Sequence, residues 1–358
     1  MERTLCNTGR QNELDIAKGL AVVFMVLIHT VEYFWDEEAF IFGKIVNFLG
    51  SPPAAPVFMF LLGCGIVYST RSNAEMIFKR GIKMLALSYV MNALVYVLPW
   101  GIKSLIDQDI NVILDEWTQI YDADILQFAA LAFLFFAIVK KVDLKPLVVV
   151  VIAAVISGVG MALNYFIPEI ESPVLQAISG LFWGTHEGSY FPFTSWIIYP
   201  AAGYLFAHFL RRTDNKKSFY ALISTIGLVV FVSLAVVLSR FIEWDDLMDG
   251  AAYYHQGLAL NVMFIAFVLF WLGVCYALSL LFRDGFIMKL LAKFSSNVTP
   301  IYVCQYILII YVSTLATYDC FYRAPVVTAI FIVFTILAYF MAAGYKKVTK
   351  KSKEPKKA

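Results

Sequence analysis

Ten apolar runs divide the chain, each near the length of about 17–25 residues that crosses a bilayer as a helix. They fall near 15–34, 54–70, 84–100, 125–139, 146–164, 191–209, 219–240, 257–282, 296–315 and 325–344. The segments between them alternate in charge. Basic ones follow the second, fourth, sixth and eighth runs and the last one: Arg71, Lys79, Arg80 and Lys83; Lys140, Lys141 and Lys145; Arg211, Arg212, Lys216 and Lys217; Arg283, Lys289 and Lys293; then a lysine-rich end. The intervening ones are acidic: Asp36, Glu37 and Glu38; Asp107, Asp109, Asp115 and Glu116; Glu169 and Glu171; Asp245, Asp246 and Asp249. The pattern predicts an all-α integral membrane protein of about ten spans with both termini cytoplasmic, because basic loops stay inside.

Composition agrees with that reading. The chain has 358 residues, 61% hydrophobic and 15% charged, with a mean hydropathy of +0.75. Soluble domains have about 45–50% apolar and about 25% charged residues. The net charge of +2 decides nothing by itself. The polar start, Met1 to Glu13, has no small-residue cleavage site after the first run, so that run is expected to remain as a signal anchor. Residues 1–345 read as one polytopic domain, and 346–358 as a basic, disordered cytoplasmic tail. Five cysteines without CxxC spacing imply neither a disulfide framework nor a metal site.

The first run departs from a plain membrane helix. At about 100° per residue, Asp15, Lys18, Val22, Met25, His29 and Glu32 share one stripe. An imidazole within a span is costly unless it faces protein or water, which makes His29 a functional candidate. Lys18 stands about 16 Å from it along the axis, at about 1.5 Å per residue. The stripe reads as one wall of a tunnel, with a cation at the cytoplasmic mouth and a base toward the outside.

Several segments carry a resemblance. Leu14-Asp15-Ile16-Ala17-Lys18-Gly19-Leu20 followed by Met25 to His29 resembles the LDxxRG…MxxxH opening of transmembrane acyltransferases. Pro56 to Gly63 is similar to PxFxFxxG, Phe78 to Lys83 to the basic turn opening the third helix, and Asp124 to Gln127 to "xxLQR". Phe191 to Trp196 with Gly203-Tyr204 is similar to FPxxPW…GY, and Phe294 to Tyr302 to GxNSxxxY. The matching order, over about residues 13 to 310, is nearest to the bacterial relatives of heparan-α-glucosaminide N-acetyltransferase. There are departures: Lys18 replaces the usual Arg, Phe128 the Arg of "LQR", Ser195 the Pro before Trp196, and Gln305 lies near a common His position. No counterpart of the lumenal-side histidine of the animal enzymes appears in Trp35 to Leu49.

The resemblance implies an acyl-coenzyme A-dependent acyltransferase, acetyl-coenzyme A being the simplest donor, acting on a glycan or glycolipid hydroxyl or amine outside. His29 is the candidate general base or transient acyl acceptor, since its ordinary pKa lies near neutrality. Glu32 would orient its ring. Asp15, Lys18, Arg80 and Lys83 are the candidate donor-binding group, although an Asp15–Lys18 ion pair and the inside-positive rule explain them equally. Gln127, His186, Trp196 and Asn297 are candidates for the tunnel wall. Helix-to-helix hydrogen bonding accounts for the two amides otherwise, and an exposed loop accounts for His186. Neither metal nor nucleic acid is expected; membrane lipid is the partner, and an oligomer is compatible. A bacterial inner membrane suits the reading. A lipid or sugar exporter would use a similar polar interior, but no repeat is visible and the prolines sit at span ends. A non-catalytic relative is the third alternative.

Overall fold

The computed structural model describes residues 5–167, 170, 172–184, 188–248, 250–282, 285–318 and 320–351. His186 and Glu187 lie outside these, as do Glu169, Glu171, Asp249, Arg283, Lys353, Lys356 and Lys357. The elements, in order, are α1 (Asn12–Phe34), α2 (Phe40–Gly50), α3 (Ala55–Tyr68) and α4 (Ala74–Asn92). A π-helical turn (Ala93–Val97) joins α4 to α5 (Leu98–Asp107), before α6 (Asn111–Glu116) and a 3-10 turn (Trp117–Tyr121). Then come α7 (Ile125–Val142), α8 (Pro146–Phe166), α9 (Pro173–Phe182), α10 (Phe193–Trp196), α11 (Ile198–Leu210) and α12 (Lys216–Leu238). The chain continues through α13 (Trp244–Met248), α14 (Ala251–Tyr254), α15 (Leu258–Phe282), α16 (Phe286–Ser295), α17 (Val298–Tyr311), a second π-helical turn (Val312–Ala316) and α18 (Ala324–Lys351).

Among the described residues, nine helical stretches are long and apolar enough to cross a membrane. The remaining predicted span, near 191–209, is split between α10 and α11, and α11 has only 13 residues. Two features exceed the sequence expectation. The segment before the second span is helical as α2, and α4 starts at Ala74 because the Lys79–Lys83 turn continues the helix. At the other end α18 runs on through Lys351, into the segment expected as tail, since lysine is a good helix former and suits a helix C-terminus.

α1 is the hub. It touches α2, α3, α15, α16, α17 and α18, and 56% of its most apolar window is buried, against 6% for α12. α12 therefore presents an apolar surface suited to lipid, whereas α1 can hold polar side chains within protein. Apolar side chains gain little by leaving lipid for another helix, so close packing must hold such a bundle together. The α3–α11 crossing shows how. A Cβ on Gly63 would sit 1.9 Å from the Pro200 carbonyl oxygen, and one on Gly203 1.8 Å from that of Phe60. These are the glycines of the PxFxFxxG and GY segments, and their lack of a side chain lets the two backbones touch.

Candidate active site

Two cavities lie along the stripe of α1 and a third adjoins the second; inner denotes the Lys18 end and outer the Asp122 end. The inner one, about 220 Å³, is lined by Lys18, Met25, Phe58, Arg80, Ile125 and Tyr302 among mostly apolar neighbours. The central one, about 310 Å³, shares Met25, Phe58, Ile125 and Tyr302 with it and adds His29, Glu32, Asp124 and Tyr306. The outer one, about 730 Å³, shares Tyr33, Tyr96 and Tyr190 with the central cavity. The three cavities share lining residues in this order and make a row, the path, whose middle cavity holds His29.

His29 is held at both ring nitrogens from α17. Gln305 Nε2 lies 2.8 Å from Nδ1, and the Tyr306 hydroxyl lies 3.2 Å from Nε2. The Tyr306 ring packs against the imidazole with centroids 4.5 Å apart. One turn earlier, Tyr302 donates its hydroxyl proton to Asp124 Oδ2, and its ring meets Tyr306 at 4.9 Å. Asp124 owes its place to helix capping. Its Oδ1 accepts from the Ile125 N–H at 2.6 Å, and Gln127 Oε1 accepts from the Asp124 N–H at 3.3 Å. This reciprocal arrangement is a capping box.

The end of the path near Asp122 is electronegative. Burial, then the neighbouring Asp124 and Glu116 charges, pushes the Asp122 carboxyl up to about 7. Burial also raises Asp124, against the hydrogen bonds from Tyr302 and Ile125 that favour its charged form.

The candidate residues separate into three groups. Lys18, His29, Glu32 and Arg80 line the path. Lys18 makes no ion pair among the described residues, and Arg80 stacks over the Phe133 ring at 5.3 Å. Asp15, by contrast, pairs with Arg10 and accepts from the Ser295 hydroxyl at 2.6 Å, so the Asp15–Lys18 pair open to a helix spacing of three does not form. Lys83 is exposed and lines none of the three cavities.

Gln127, Trp196 and Asn297 make up the second group, set behind the walls. Gln127 is 1% exposed and donates to the Asp122 carbonyl at 2.9 Å. Trp196 is fully buried; its indole N–H reaches the Tyr254 carbonyl at 2.8 Å, and its ring packs on Phe191 and Tyr253, which line the central cavity. Asn297 Nδ2 donates to the Lys293 carbonyl at 2.6 Å. His186 alone forms the third group, outside the described residues.

Sequence reasoning gave Glu32 the task of fixing the His29 ring. Gln305 and Tyr306 occupy both nitrogens instead. Asp124, Tyr302 and Tyr306 were also missed as site residues. The sequence mark of Asp124 and Tyr302 was the pair of segments Asp124 to Gln127 and Phe294 to Tyr302, which the fold brings together at the cavity; Tyr306 lies one turn beyond the second segment and carried no mark.

The family model for the acyltransferase domain matches residues 11–343, which include every element of the three cavities. A comparison with curated proteins finds no match. A match over nearly the whole length, on a membrane-spanning helical fold, means that the chain belongs to the acyltransferase domain family.

Proposed function

We propose that this membrane acyltransferase takes an acyl group, acetyl in the simplest case, from acyl-coenzyme A at the Lys18 end. It passes the group to a hydroxyl or amine of a glycan that arrives from the Glu32 end. The observation that carries the reading is the placement of His29 in the cavity next to the one that Lys18 lines, on the same helix. Lys18 and Arg80 supply cationic groups for the donor phosphates. The apolar wall between them and His29 suits a thin pantetheine arm. The basic loops give the sidedness of this reading, with the Lys18 end cytoplasmic.

In the proposed step the acceptor oxygen or nitrogen attacks the thioester carbonyl carbon while His29 takes its proton. The C–S bond then breaks, and the proton passes from His29 to the departing thiolate, giving coenzyme A and the acylated acceptor. A base at Nε2 requires the ring proton on Nδ1, and the Gln305 amide can accept it there when its carbonyl oxygen faces the ring. Which amide atom faces a ring follows from the hydrogen-bond network. The Tyr306 hydroxyl lines the same cavity and is better placed than Gln127 or Asn297 to stabilise the oxyanion, whereas the Tyr302 hydroxyl is committed to Asp124. Exclusion of bulk water favours transfer over hydrolysis.

The test is turnover of radiolabelled acetyl-coenzyme A by purified protein in nanodiscs. Wild type should release coenzyme A, and His29→Ala should lose about 100-fold or more at unchanged melting temperature. Equal turnover in both removes His29 from the chemistry. Absence of coenzyme A binding in the wild type removes the donor.

A further inference from the structure

The outer cavity raises a separate question, because its lining differs from that of the other two. Tyr33, Tyr96 and Tyr190 form the wall it shares with the central cavity. Tyr33 lies one turn beyond His29 on α1. Tyr96 lies in the π-helical turn Ala93–Val97, an irregularity of the kind that often marks functional sites. Tyr190 is fixed by a bridge in which the Tyr190 N–H donates to the Ala123 carbonyl at 3.0 Å and the Ala123 N–H to Gly188 at 2.7 Å.

The floor is equally built. Asn92, 4% exposed, donates to the Ile120 and Asp122 carbonyls at 3.1 and 2.9 Å. Gln127 adds a second donor to the Asp122 carbonyl at 2.9 Å. Two buried amides thus hold the loop that carries Asp122. The volume of about 730 Å³ falls within the range of about 300–1,000 Å³ usual for small-molecule sites.

The chemistry of the wall is one-sided. Asp115, Glu116 and Asp122 face the cavity with Gln119 and Gln176, and no lysine or arginine is among the described lining residues. Aromatic faces and hydrogen-bonding side chains suit a sugar ring. Asp115 and Glu116, joined by Asp122 as it ionises near neutral pH, meet no lysine or arginine among the described lining residues and disfavour phosphate, sulfate or uronate groups. An aliphatic chain would leave these polar groups unpaired.

We infer that the outer cavity is the acceptor site and that it selects an uncharged, polyhydroxylated sugar, rejecting anionic glycans by charge. The inference rests on the acyl-transfer reading for the word acceptor, but its charge selectivity is independent of turnover. It narrows the glycan acceptor implied by the resemblance to an uncharged one.

Saturation-transfer NMR on the full chain in nanodiscs tests it, with methyl β-glucopyranoside and methyl β-glucuronide as probes of equal shape. The glucoside should bind and the glucuronide should bind about tenfold more weakly or worse; high salt should narrow the gap. The triple variant D115N/E116Q/D122N should bring the two probes together at unchanged melting temperature, while His29→Ala should leave the gap as it is. Equal binding by wild type, preference for the glucuronide, no binding of either probe, or a gap unchanged in the triple variant each overturns the inference. Should the triple variant not fold, the salt dependence in the wild type alone decides. Intact discrimination without acetyl-coenzyme A turnover would fail the acyl-transfer reading and leave the selectivity standing.

Discussion

The two ends of the path are built from opposite materials. At the inner end two cations, Lys18 and Arg80, stand in a wall that is otherwise mostly apolar. At the outer end three carboxylates, tyrosines and amides leave almost no aliphatic surface. An anionic molecule with a slender apolar arm fits the first, and a neutral polyol fits the second. On the proposed reading the two ends sort two substrates by charge before they meet, with His29 in the cavity between them. A channel for a single solute would have less need of ends so unlike.

Four substitutions probe that contrast, in falling order of effect. Lys18→Gln should raise the donor KM by about tenfold to 100-fold with kcat little changed, because a charge-assisted contact to phosphate is lost, and Lys18→Arg should restore most of it. A fall in kcat at constant KM would place Lys18 in the chemistry instead. Gln305→Leu should lower kcat by about tenfold by releasing the Nδ1 side of the ring, and Gln305→His should recover most of the loss. Unchanged kcat in the leucine variant would show that the ring is oriented otherwise. Asp122→Asn addresses the electronegative end through pH. Its pKa rises from 3.8 to about 7 on folding, so the folded state binds the proton more tightly. Its contribution therefore destabilises as pH rises through that window. Wild type should melt a few degrees higher at pH 5 than at pH 8, and the asparagine variant should lose this part of the dependence. A slope of the opposite sign would exclude it. Lys83→Gln, at an exposed position outside the cavities, should change donor KM less than about twofold, within the scatter of surface substitutions. A loss equal to that of Lys18→Gln would mean that the donor extends over the α4 surface.

What was legible in the sequence is what depends on period and charge. The α1 stripe reads directly from spacings of three and four; its Lys18, Met25, His29 and Glu32 line the cavities, whereas Asp15 and Val22 do not. The glycines of two short motifs stood out as motif positions, although only the fold shows that Gly63 and Gly203 allow a backbone contact. The Gln305–His29 and Tyr302–Asp124 contacts join residues 276 and 178 positions apart, and no local rule reaches that far. Gln127, which lines a small cavity with Asp124, Tyr302 and Tyr306, has structural duties that no local rule shows. An amide beside a span reads as a wall residue, and here it also serves a helix cap and a loop carbonyl. The split of α10 from α11 was hidden because the apolar run continues through the break.

Sidedness tests the account most directly. Inverted membrane vesicles containing the chain would receive labelled acetyl-coenzyme A outside, on the former cytoplasmic face, with methyl β-glucopyranoside enclosed inside. The account expects labelled sugar in the lumen with wild type and about 100-fold less with His29→Ala. Label appearing only when donor and sugar share one side, or equal lumenal label from the two proteins, would contradict it.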